Sequence, residues 1–510
     1  MFRVKSTEYG PISERLLSAN LSDLCVKKSG VQTGPFGSQL HREDYVEEGT
    51  PIITVEHLGD NRIVHENTPF VSDEDKERLS KYHLQEGDIV FSRVGSVDRR
   101  ALVRKAEDGW LFSGRCLRVR VDTEKISPVY LSYFFGLESF KNYIRSIAVG
   151  ATMPSLNTKL LSDVPVYYPE SLAEQENIAR LLYTLDDKIE LNRQTNQTLE
   201  HIAQAIFKSW FVDFEPTRAK IIAKEQGANP ATQELAAQAI ICGAITLEQL
   251  AELEQNLATT LQQAIDEKLN QHNQTNPTAL NAQQLKATAA LFPNELVESE
   301  LGDIPEGWET KPLYETAEYI NGAAFKATDF SEDGSGLPIV KIAELKNGLG
   351  ENTKYTTGNF NKRHFIQDED VLYSWSGSPL TSLEVFKWFG GDGWLNQHIF
   401  KLNFNRVEEK YFTYYLLQHM KPVLIATAQQ KQTTGLGHIT VADMKRLLVA
   451  YPEDRVLSGF SEVIGSLYEK CSSLSKENIS LTQLRDALLP KLLSGEIDVS
   501  ALADNSEASA

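Results

Sequence analysis

The 510-residue chain carries one sequence pattern twice, in the same order, at an offset of about 285 residues. The matched runs are PIITVEHL (51–58) with PIVKIAEL (338–345), GDIVFS (87–92) with EDVLYS (369–374), DGWL (108–111) with DGWL (392–395), and VYYPE (166–170) with VAYPE (449–453). Because all the matches keep their order, coincidence is a poor explanation. The pattern predicts two copies of one folding unit and not a single merged core.

Each copy has the same internal organisation. Short β-branched and aromatic runs, broken by Gly and Pro, come first; the runs at 52–55, 89–91 and 117–121 predict strands. A long helical pattern follows in both copies. We therefore expect an α+β (mixed α/β) fold with a pseudo-two-fold internal repeat, in which each globular domain is followed by a helical arm.

The two helical arms carry a heptad pattern, with seam residues spaced alternately three and four apart over four heptads. Two ordinary amphipathic helices on separate cores are the alternative. Polar residues within the seam favour a coiled coil, because buried Asn fixes register and orientation. The predicted seam consists of Leu182, Leu185, Ile189, Asn192, Asn196 and Leu199 in the first arm and Ile464, Leu467, Leu474, Asn478 and Leu481 in the second.

The boundaries follow from these patterns and from composition. The segment between the copies is rich in Ala, Gln, Asn and Glu and poor in aromatic residues, so we expect an acidic connector with one or two surface helices. The expected parts are a first globular domain (1–170), a central arm (171–216), the connector (217–302), a second globular domain (303–453), a C-terminal arm (454–497) and a disordered tail (498–510).

Several classes of protein are disfavoured by what the sequence lacks. No stretch approaches eighteen apolar residues and no apolar leader is visible, so we expect no membrane span and no signal peptide. The four cysteines are far apart, which disfavours zinc and disulfides and suggests the cytoplasm. No nucleotide-binding P-loop occurs, no Asn/Asp-Pro-Pro-aromatic methyltransferase tetrapeptide occurs, and the histidines are scattered. We therefore assign no catalytic residue and no metal ligand.

The net charge of −19 argues at first against a nucleic-acid partner. Its distribution weakens that argument, since 225–306 holds twelve acidic residues and two basic ones, about half of the excess. Between 93 and 120, eight arginines and lysines face three acidic residues. Phosphate binding needs a local positive surface, not a positive protein. A solvated, salt-bridged strand pair is the alternative, and charge alone favours it.

Five motifs resemble those of one family, the specificity (S) subunits of type I restriction-modification enzymes. They are TGPFGSQL (33–40), GDIVFSRVGS (87–96), LDDKIELN (185–192), FKSWFVDF (207–214) and LRDALLPKLLSGEI (484–497). Together with the entry to the second domain at 296–308 they make the resemblance cover most of the chain. The second copy departs from the first, with NGAAF at 321–325 in place of TGPF and Trp375 in place of Arg93.

The resemblance implies a non-catalytic DNA sequence-specificity subunit. Its two target-recognition domains would be separated by two long helices forming an antiparallel coiled coil, and each domain would meet a major groove of double-stranded DNA in the same way. Because the copies differ, the target would be asymmetric and bipartite. The partners would be two methyltransferase subunits and two restriction/translocase subunits, which would carry S-adenosylmethionine, ATP and Mg²⁺, with no cofactor on this chain and no membrane partner.

The resemblance also implies candidate DNA contacts. Base reading needs donors and acceptors on loops, and the candidates are Ser38, Gln39, His41, Arg93 and Arg115 in the first copy and Trp375, Ser376, Asn396, Gln397 and His398 in the second. Phosphate contacts need cations, and the candidates are Arg99, Arg100, Arg104, Lys105, Lys326, Lys341 and Lys431. The loops 150–157 and 429–438 precede the two arms at equivalent places and are further candidates.

Two alternatives remain open on sequence alone. The acidic balance suits a stand-alone coiled-coil adaptor that binds protein and not DNA. An enzyme with an unrecognised nuclease or methylase site is the second alternative. A duplicated enzyme would be expected to show its site twice, which disfavours this second alternative.

Overall fold

The computed structural model describes residues 3–36, 39–150, 152–253, 256–275, 281–431 and 436–499. The chain folds as two compact units. Unit 1 comprises Met1–Leu191 and Ile479–Ala510, and unit 2 comprises Asn192–Asn478. The mixed α/β class predicted from the sequence is confirmed. From residue 500 onward, the predicted disordered tail lies outside the described residues.

Strands are short throughout, and two helices are much longer than the rest. In chain order the first elements are β1 Val4–Thr7, β2 Gly10–Ser13, β3 Leu17–Asn20, α1 Leu21–Leu24, β4 Val31–Thr33, β5 Tyr45–Val46, β6 Thr50–Ile53, β7 Phe70–Val71, α2 Asp73–Arg78, β8 Ile89–Ser92, β9 Arg100–Leu102, β10 Leu111–Phe112, β11 Cys116–Val119, α3 Pro128–Phe134, α4 Glu138–Ile147, α5 Thr158–Ser162, β12 Pro165–Tyr168 and α6 Leu172–Phe211. The next are α7 Glu215–Glu225, α8 Pro230–Ile241, α9 Leu247–Ala251, α10 Leu257–Thr275, α11 Ala282–Ala289, β13 Leu296–Ser299, β14 Gly302–Pro305, β15 Glu309–Pro312, β16 Glu318–Asn321, β17 Leu337–Val340, α12 Ile342–Asn347, β18 Lys354–Thr356, β19 Phe365–Ile366, β20 Val371–Ser374, β21 Ser376–Gly377, α13 Pro379–Ser382, β22 Glu384–Lys387, β23 Gly393–Leu395, β24 Ile399–Asn403, α14 Val407–Gln429, β25 Gly437–His438, α15 Val441–Arg446, β26 Leu448–Tyr451 and α16 Asp454–Leu493.

Unit 1 contains two four-stranded sheets. One has the order β4-β11-β8-β9 with antiparallel neighbours, and the other has the order β10-β6-β7-β5 with β6 and β10 parallel. Every residue of β8 and β11 is buried, which fits the mainly apolar sequences of both strands; Arg118 and Ser92 are the buried polar residues among them. A separate antiparallel pair, β3 with β12, leads into α6.

The core of unit 1 is built from both of its chain segments. Leu492, Leu493 and Val499 are buried in the same apolar cluster as the sheet residue Phe91 and the helix residue Phe134. The backbone follows the same arrangement, because the amide of Ser13 donates to the carbonyl of Ser494 at 2.8 Å. Residues from the far end of the sequence therefore complete the core around the N-terminal sheet.

Unit 2 contains an antiparallel sheet whose strand order corresponds to that in unit 1, and a second four-stranded sheet whose edge strand β19 pairs with β23, whereas β5 of unit 1 pairs with β7. The antiparallel sheet is β16-β24-β20-β22, and in the second sheet, β18-β17-β23-β19, the strands β17 and β23 are parallel. The antiparallel pair β15 with β26 leads into α16, as β3 with β12 leads into α6 in unit 1. The DGWL runs fall at β10 and β23, each of which forms the parallel pairing of its sheet.

Helices α6 and α16 each contain 40 residues, and the boundary between the units falls within both. Helix α6 begins after Ser171, whose hydroxyl accepts from the amide of Glu174 at 3.4 Å. It ends before Phe214, which has a left-handed φ of 52°, and Pro216 lies in the first turn of α7.

Within unit 2, polar side chains join the second half of α6 to the first half of α16. Asn192 donates to Asn478 at 3.0 Å and to Glu477 at 2.9 Å, and Asn196 donates to Ser475 at 3.1 Å. As the residue number rises along one helix, the number of its partner falls. The two segments of unit 2 therefore run in opposite directions.

The predicted seam residues share one property, which is that none of them is exposed. Leu182, Asn192, Ile464 and Leu474 are buried, and Leu185, Ile189, Asn196, Leu199, Leu467, Asn478 and Leu481 are half-buried. By contrast, the apolar side chains of Leu191, Ile202 and Leu484 on the same helices are 58%, 44% and 48% exposed. The heptad pattern thus separates the packed face of each helix from the solvent face.

The connector differs from our expectation. Between α6 and β13 the structure has five helices, α7 to α11, rather than one or two surface helices. They share an apolar cluster of their own that includes Ala236, Leu250, Leu261, Ile265 and Leu285. Small alanines allow α7 and α8 to pack closely, so a segment poor in aromatic residues still builds a core.

Candidate nucleic-acid interface

In unit 1, three chain segments are hydrogen-bonded together at one end of the antiparallel sheet. Arg93 follows the last residue of β8, and its amide donates to the carbonyl of Arg115 in the turn before β11 at 2.8 Å. The carbonyl of Arg93 in turn accepts from the amide of Leu156 at 2.9 Å. The loop 150–157, proposed above as a candidate, therefore lies beside Arg93, although its residue 151 is outside the described residues.

A fourth segment, the loop after β4, reaches the same place through Gly34. Its amide donates to the carbonyl of Cys116 at 3.2 Å. A Cβ atom at this position would lie 2.1 Å from the carbonyl oxygen of Ser113, a distance that no side chain tolerates. Only glycine lets the TGPF loop lie against the turn 113–115.

The side chain of Arg93 is held on two sides. Its guanidinium carbon lies 4.4 Å from the centre of the Phe36 ring, and its Nη1 donates to the carbonyl of Gly114 at 3.1 Å. Arg93, Phe36 and the exposed Arg115 line a cavity of about 580 Å³ together with Tyr45 and other residues. We call this place the unit 1 sheet end, defined by residues 34–36, 93–95, 113–115 and 154–156.

Unit 2 has the corresponding arrangement, which we call the unit 2 sheet end, defined by residues 321–323, 375–377, 396–398 and 436–439. The amide of Trp375 donates to the carbonyl of His398 at 3.3 Å, and its carbonyl accepts from the amide of Ile439 at 2.9 Å. A Cβ on Gly322 would lie 2.2 Å from the carbonyl oxygen of Asn396, as at Gly34. The indole Nε1 of Trp375 donates to the side chain of Asn321 at 3.2 Å.

The base-contact candidates are distributed unevenly over these places. Arg93 and Arg115 lie at the unit 1 sheet end, and Trp375, Ser376, Asn396, Gln397 and His398 all lie at the unit 2 sheet end. Gln39 is hydrogen-bonded to the hydroxyl of Tyr82 at 2.5 Å, and His41 is exposed beyond it. Ser38 lies outside the described residues.

The phosphate candidates of unit 1 require a correction at Arg100. This residue lies on β9 and is only 4% exposed, its Nε donates to the carbonyl of Ser132 at 2.8 Å, and its Nη1 lies 3.7 Å from Asp60. Burial lowers the pKa of its guanidinium, an effect that Asp60 opposes. Successive side chains of a β-strand point to opposite faces of the sheet, and the side chain of Arg100 points to the buried face. Arg100 is therefore not available to a phosphate.

The three other basic candidates of unit 1 lie in two places, Arg99 near Arg93 and the adjacent pair Arg104 and Lys105 at the other end of β9. Arg99 is exposed. It lies near Arg93, since the amide of Ser92, the residue before Arg93, donates to the carbonyl of Arg99 at 2.9 Å. Arg104 donates to the hydroxyl of Tyr183 at 2.9 Å and to Asp187 at 3.0 Å on α6, and Lys105 is exposed next to it. Arg104 therefore fits the salt-bridged alternative, at the end of β9 away from Arg93.

In unit 2 the candidate Lys326 is exposed, close to the glycine loop. Lys341 is half-buried, with its Nζ 5.4 Å from the centre of the Phe330 ring. Lys431 forms a 2.5 Å hydrogen bond with Asp443. Burial alone would raise the pKa of Asp443, but hydrogen bonds from Lys431, Thr440 and Arg446 hold it below its usual value. Lys431 is thus neutralised within unit 2, and residues 432–435 of its loop lie outside the described residues.

Two side chains that shape the unit 1 and unit 2 sheet ends were not among the candidates from the sequence. The ring of Phe36, which is 47% exposed, stacks against the guanidinium of Arg93. Asn321 orients the indole of Trp375 through a hydrogen bond. Phe36 lies in the TGPF motif and Asn321 in the NGAAF motif, so the sequence indicated where they lie. Their roles depend on contacts with residues distant in sequence, which the motifs do not contain. In the described ranges we find no group of three or more His, Cys, Asp or Glu side chains suited to hold a metal ion, and no helix with the length and apolarity to cross a membrane.

Replacing Gly34 by alanine is expected to distort the unit 1 sheet end. The new methyl group would collide with the carbonyl of Ser113, and overpacking of this kind costs about 1–3 kcal/mol. A lower midpoint of thermal unfolding would report it. Gly350→Ala is the matched control, because a Cβ there meets open space. Equal midpoints for the two variants would show that the close approach at Gly34 is not required.

Comparisons with known proteins agree on one family. The family model described as "Type I restriction modification DNA specificity domain" matches residues 20–201 and 305–456. The specificity subunit of the type I restriction enzyme HindI of Haemophilus influenzae is 28% identical over 431 residues, covering 82% of this chain and 88% of that protein. The MjaIX specificity subunit of Methanocaldococcus jannaschii is 24% identical over 382 residues, covering 73% and 70%. A crystal structure of the S subunit of a type I restriction-modification system from M. genitalium covers 94% of this chain and 96% of its own, with 14% identity and a TM-score of 0.49.

Proposed function

Because this chain belongs to the type I restriction-modification DNA specificity family, we propose that it reads an asymmetric, bipartite DNA target on behalf of subunits that methylate and cleave. The family match confirms the resemblance drawn from the motifs. The observation that carries the proposal is that the match falls on two separate segments, the first mostly in unit 1 with its last ten residues in unit 2, and the second entirely in unit 2.

The internal repeat is part of this proposal. Its support is the shared strand order of the two antiparallel sheets and the equivalent glycine contacts at Gly34 and Gly322. If each unit presents its sheet end to DNA, then two similar surfaces meet the two-fold related strands of the duplex. Their side chains differ, since Arg93 and Arg115 of unit 1 are replaced by Trp375 and His398 in unit 2. The two parts of the target should therefore differ in sequence.

We propose that the two long helices form an antiparallel coiled coil which fixes the length of the unread spacer. The hydrogen bonds of Asn192 and Asn196 to α16 support this in unit 2. In unit 1 the support is Arg485 of α16, whose Nη1 donates to Asp186 of α6 at 2.8 Å. Buried polar pairs of this kind specify register, because any other register leaves them without partners.

The chain is proposed to be a non-catalytic scaffold. Two methyltransferase and two restriction/translocase subunits would dock on it and would bring S-adenosylmethionine, ATP and Mg²⁺. We therefore expect the purified chain alone to produce neither methylated nor cleaved DNA. Product formed by the lone subunit would contradict this assignment.

Methylome sequencing tests the function directly. The chain is co-expressed with a methyltransferase subunit of the same organism, and modified bases are mapped by single-molecule sequencing. We expect methylation at one motif with two short specific parts and a spacer of constant length. Absence of such a motif in cells that contain the assembled complex would refute DNA recognition by this chain.

Salt dependence separates DNA recognition from the adaptor alternative, which no comparison supports. A complex that contacts six to ten phosphates should lose a factor of about 10³–10⁵ in affinity between 50 and 200 mM salt. Fluorescence anisotropy with the assembled complex and a target duplex measures this. A weak and salt-independent signal would favour a protein-binding adaptor.

A further inference from the structure

Arg93 forms no ion pair with any described residue, and the same holds for its neighbours Arg99 and Arg115. Elsewhere in unit 1, Arg104, Arg120 and Arg145 form ion pairs with Asp187, Asp88 and Asp98 at 3.0, 2.6 and 2.8 Å. Three arginines without an acidic partner among the described residues therefore lie at or near the unit 1 sheet end.

The guanidinium of Arg93 is nevertheless fixed in place. The Phe36 ring covers one face, and the carbonyl of Gly114 accepts one Nη1 proton at 3.1 Å. Its Nε is buried and lacks a hydrogen-bond partner in the described part of the chain. Leaving a buried donor without a partner costs free energy, so this guanidinium is held in its position at some cost to the fold. A surface arginine that served only solubility would not need either contact.

A stacked guanidinium presents its remaining donors along one edge. Two parallel donors match the O6 and N7 acceptors that guanine alone shows side by side in the major groove. Adenine offers a donor beside N7, and a phosphate requires no such fixed plane. Stacking on Phe36 fixes the plane of the guanidinium, and Arg93 lines the same cavity as Arg115.

We infer that Arg93 reads a guanine, through O6 and N7, in the part of the target that unit 1 contacts, with Phe36 as its positioning residue. The inference rests on the proposed function. It applies to unit 1 alone, because the equivalent Trp375 has a single indole donor, and that donor is already bound to Asn321. Unit 2 therefore reads its bases with other groups.

The test uses the assembled methyltransferase and a target library in which every specific position is varied. Methylation is compared for the wild type, Arg93→Ala and Arg93→Lys. We expect both variants to lose the preference for guanine at one position by roughly 5- to 140-fold, which is the usual value of one bidentate pair, while the other positions keep their preferences. Lysine keeps the positive charge but lacks the planar pair of donors. If Arg93→Lys does not restore the preference for guanine, the preference depends on the paired donors and not on charge.

Arg145→Ala is the control, since it removes an exposed arginine that is paired with Asp98 and Glu138 away from the sheet end. If Arg93→Ala reduced methylation equally for every target sequence and Arg93→Lys restored it, Arg93 would contact a phosphate, and that result would overturn the inference. So would relaxation at an A·T position or an unchanged preference at every position. If Arg93→Ala does not fold, Arg93→Lys decides alone. Failure of the proposed function is distinct, because the wild-type complex itself would then show no motif.

Discussion

Trp210→Ala is expected to lower the free energy of unfolding of unit 2 by about 3–5 kcal/mol, the usual cost of truncating a large aromatic core residue. Trp210 is 2% exposed near the end of α6. Its ring lies 5.0 Å from that of Phe292, which follows the connector helices, and 5.9 Å from that of Phe460 on α16. One side chain of α6 therefore packs against two other parts of unit 2, and its loss leaves a cavity between them.

Denaturant unfolding followed by far-ultraviolet circular dichroism, which reports helix content, measures the change in the free energy of unfolding. Hydrogen exchange shows which segments of the chain are destabilised. Ile202→Ala is the matched control, because Ile202 lies on the same helix and is 44% exposed. We expect it to change stability by less than about 0.5 kcal/mol. If the two variants unfolded at the same denaturant concentration, Trp210 would not be part of the core of unit 2.

Inserting four residues after Thr195 is expected to abolish assembly or to change the spacer of the methylation motif. Four residues advance an α-helix by about 6 Å and rotate it by about 400°, so the seam after the insertion no longer matches α16. Asn192 and Asn196 could not then keep their partners Asn478 and Ser475 together. Methylome sequencing of the variant complex gives the result. An unchanged motif at normal efficiency would show that the helices do not set the spacing.

A compensated variant provides the control. Seven residues inserted after Thr195 and seven after Ser475 preserve both heptad phases and the pairings of Asn192 with Asn478 and of Asn196 with Ser475. The helices lengthen by about 10 Å, which corresponds to roughly three base pairs of duplex. We expect this variant to assemble and to methylate a motif with a longer spacer. Assembly with the original spacer would contradict the proposal.

Periodicity and repetition predicted the regular parts of the fold well. The run GDIVFS falls at β8 and EDVLYS at β20, in corresponding places of two sheets with the same strand order. The heptad residues form the packed face of α6 and α16, as their spacing indicates. These features are local or repeat themselves, so a single sequence reveals them.

The connector was harder, because its core has little contrast in sequence. Ala236, Leu250, Leu261 and Leu285 are fully buried, but they are scattered among Gln, Asn and Thr residues. Alanine is common on both packed and exposed helix faces, so its pattern predicts helix without predicting burial. The number of helices therefore could not be inferred from composition.

The positions of the candidate residues in the fold were only partly predictable from the sequence, and their contacts with DNA stay a prediction. Arg93, Arg115 and Trp375 do lie at the sheet ends, because motifs placed them next to strands. Arg100 was wrong as a phosphate contact, since its inward direction depends on the partner strand and on Asp60. Which members of a basic run are neutralised is decided by contacts distant in sequence, and no single-sequence pattern contains them.

The two-segment core of unit 1 has a consequence for biosynthesis. Leu492, Leu493 and Val499 pack with the N-terminal sheet, yet a ribosome makes them after all of unit 2. At about 5–20 residues per second, the first segment waits roughly 15–60 s for the second. During that interval its apolar surface is uncovered, so nascent chains should depend on chaperones, and a stop codon late in the gene would damage the half that was translated first.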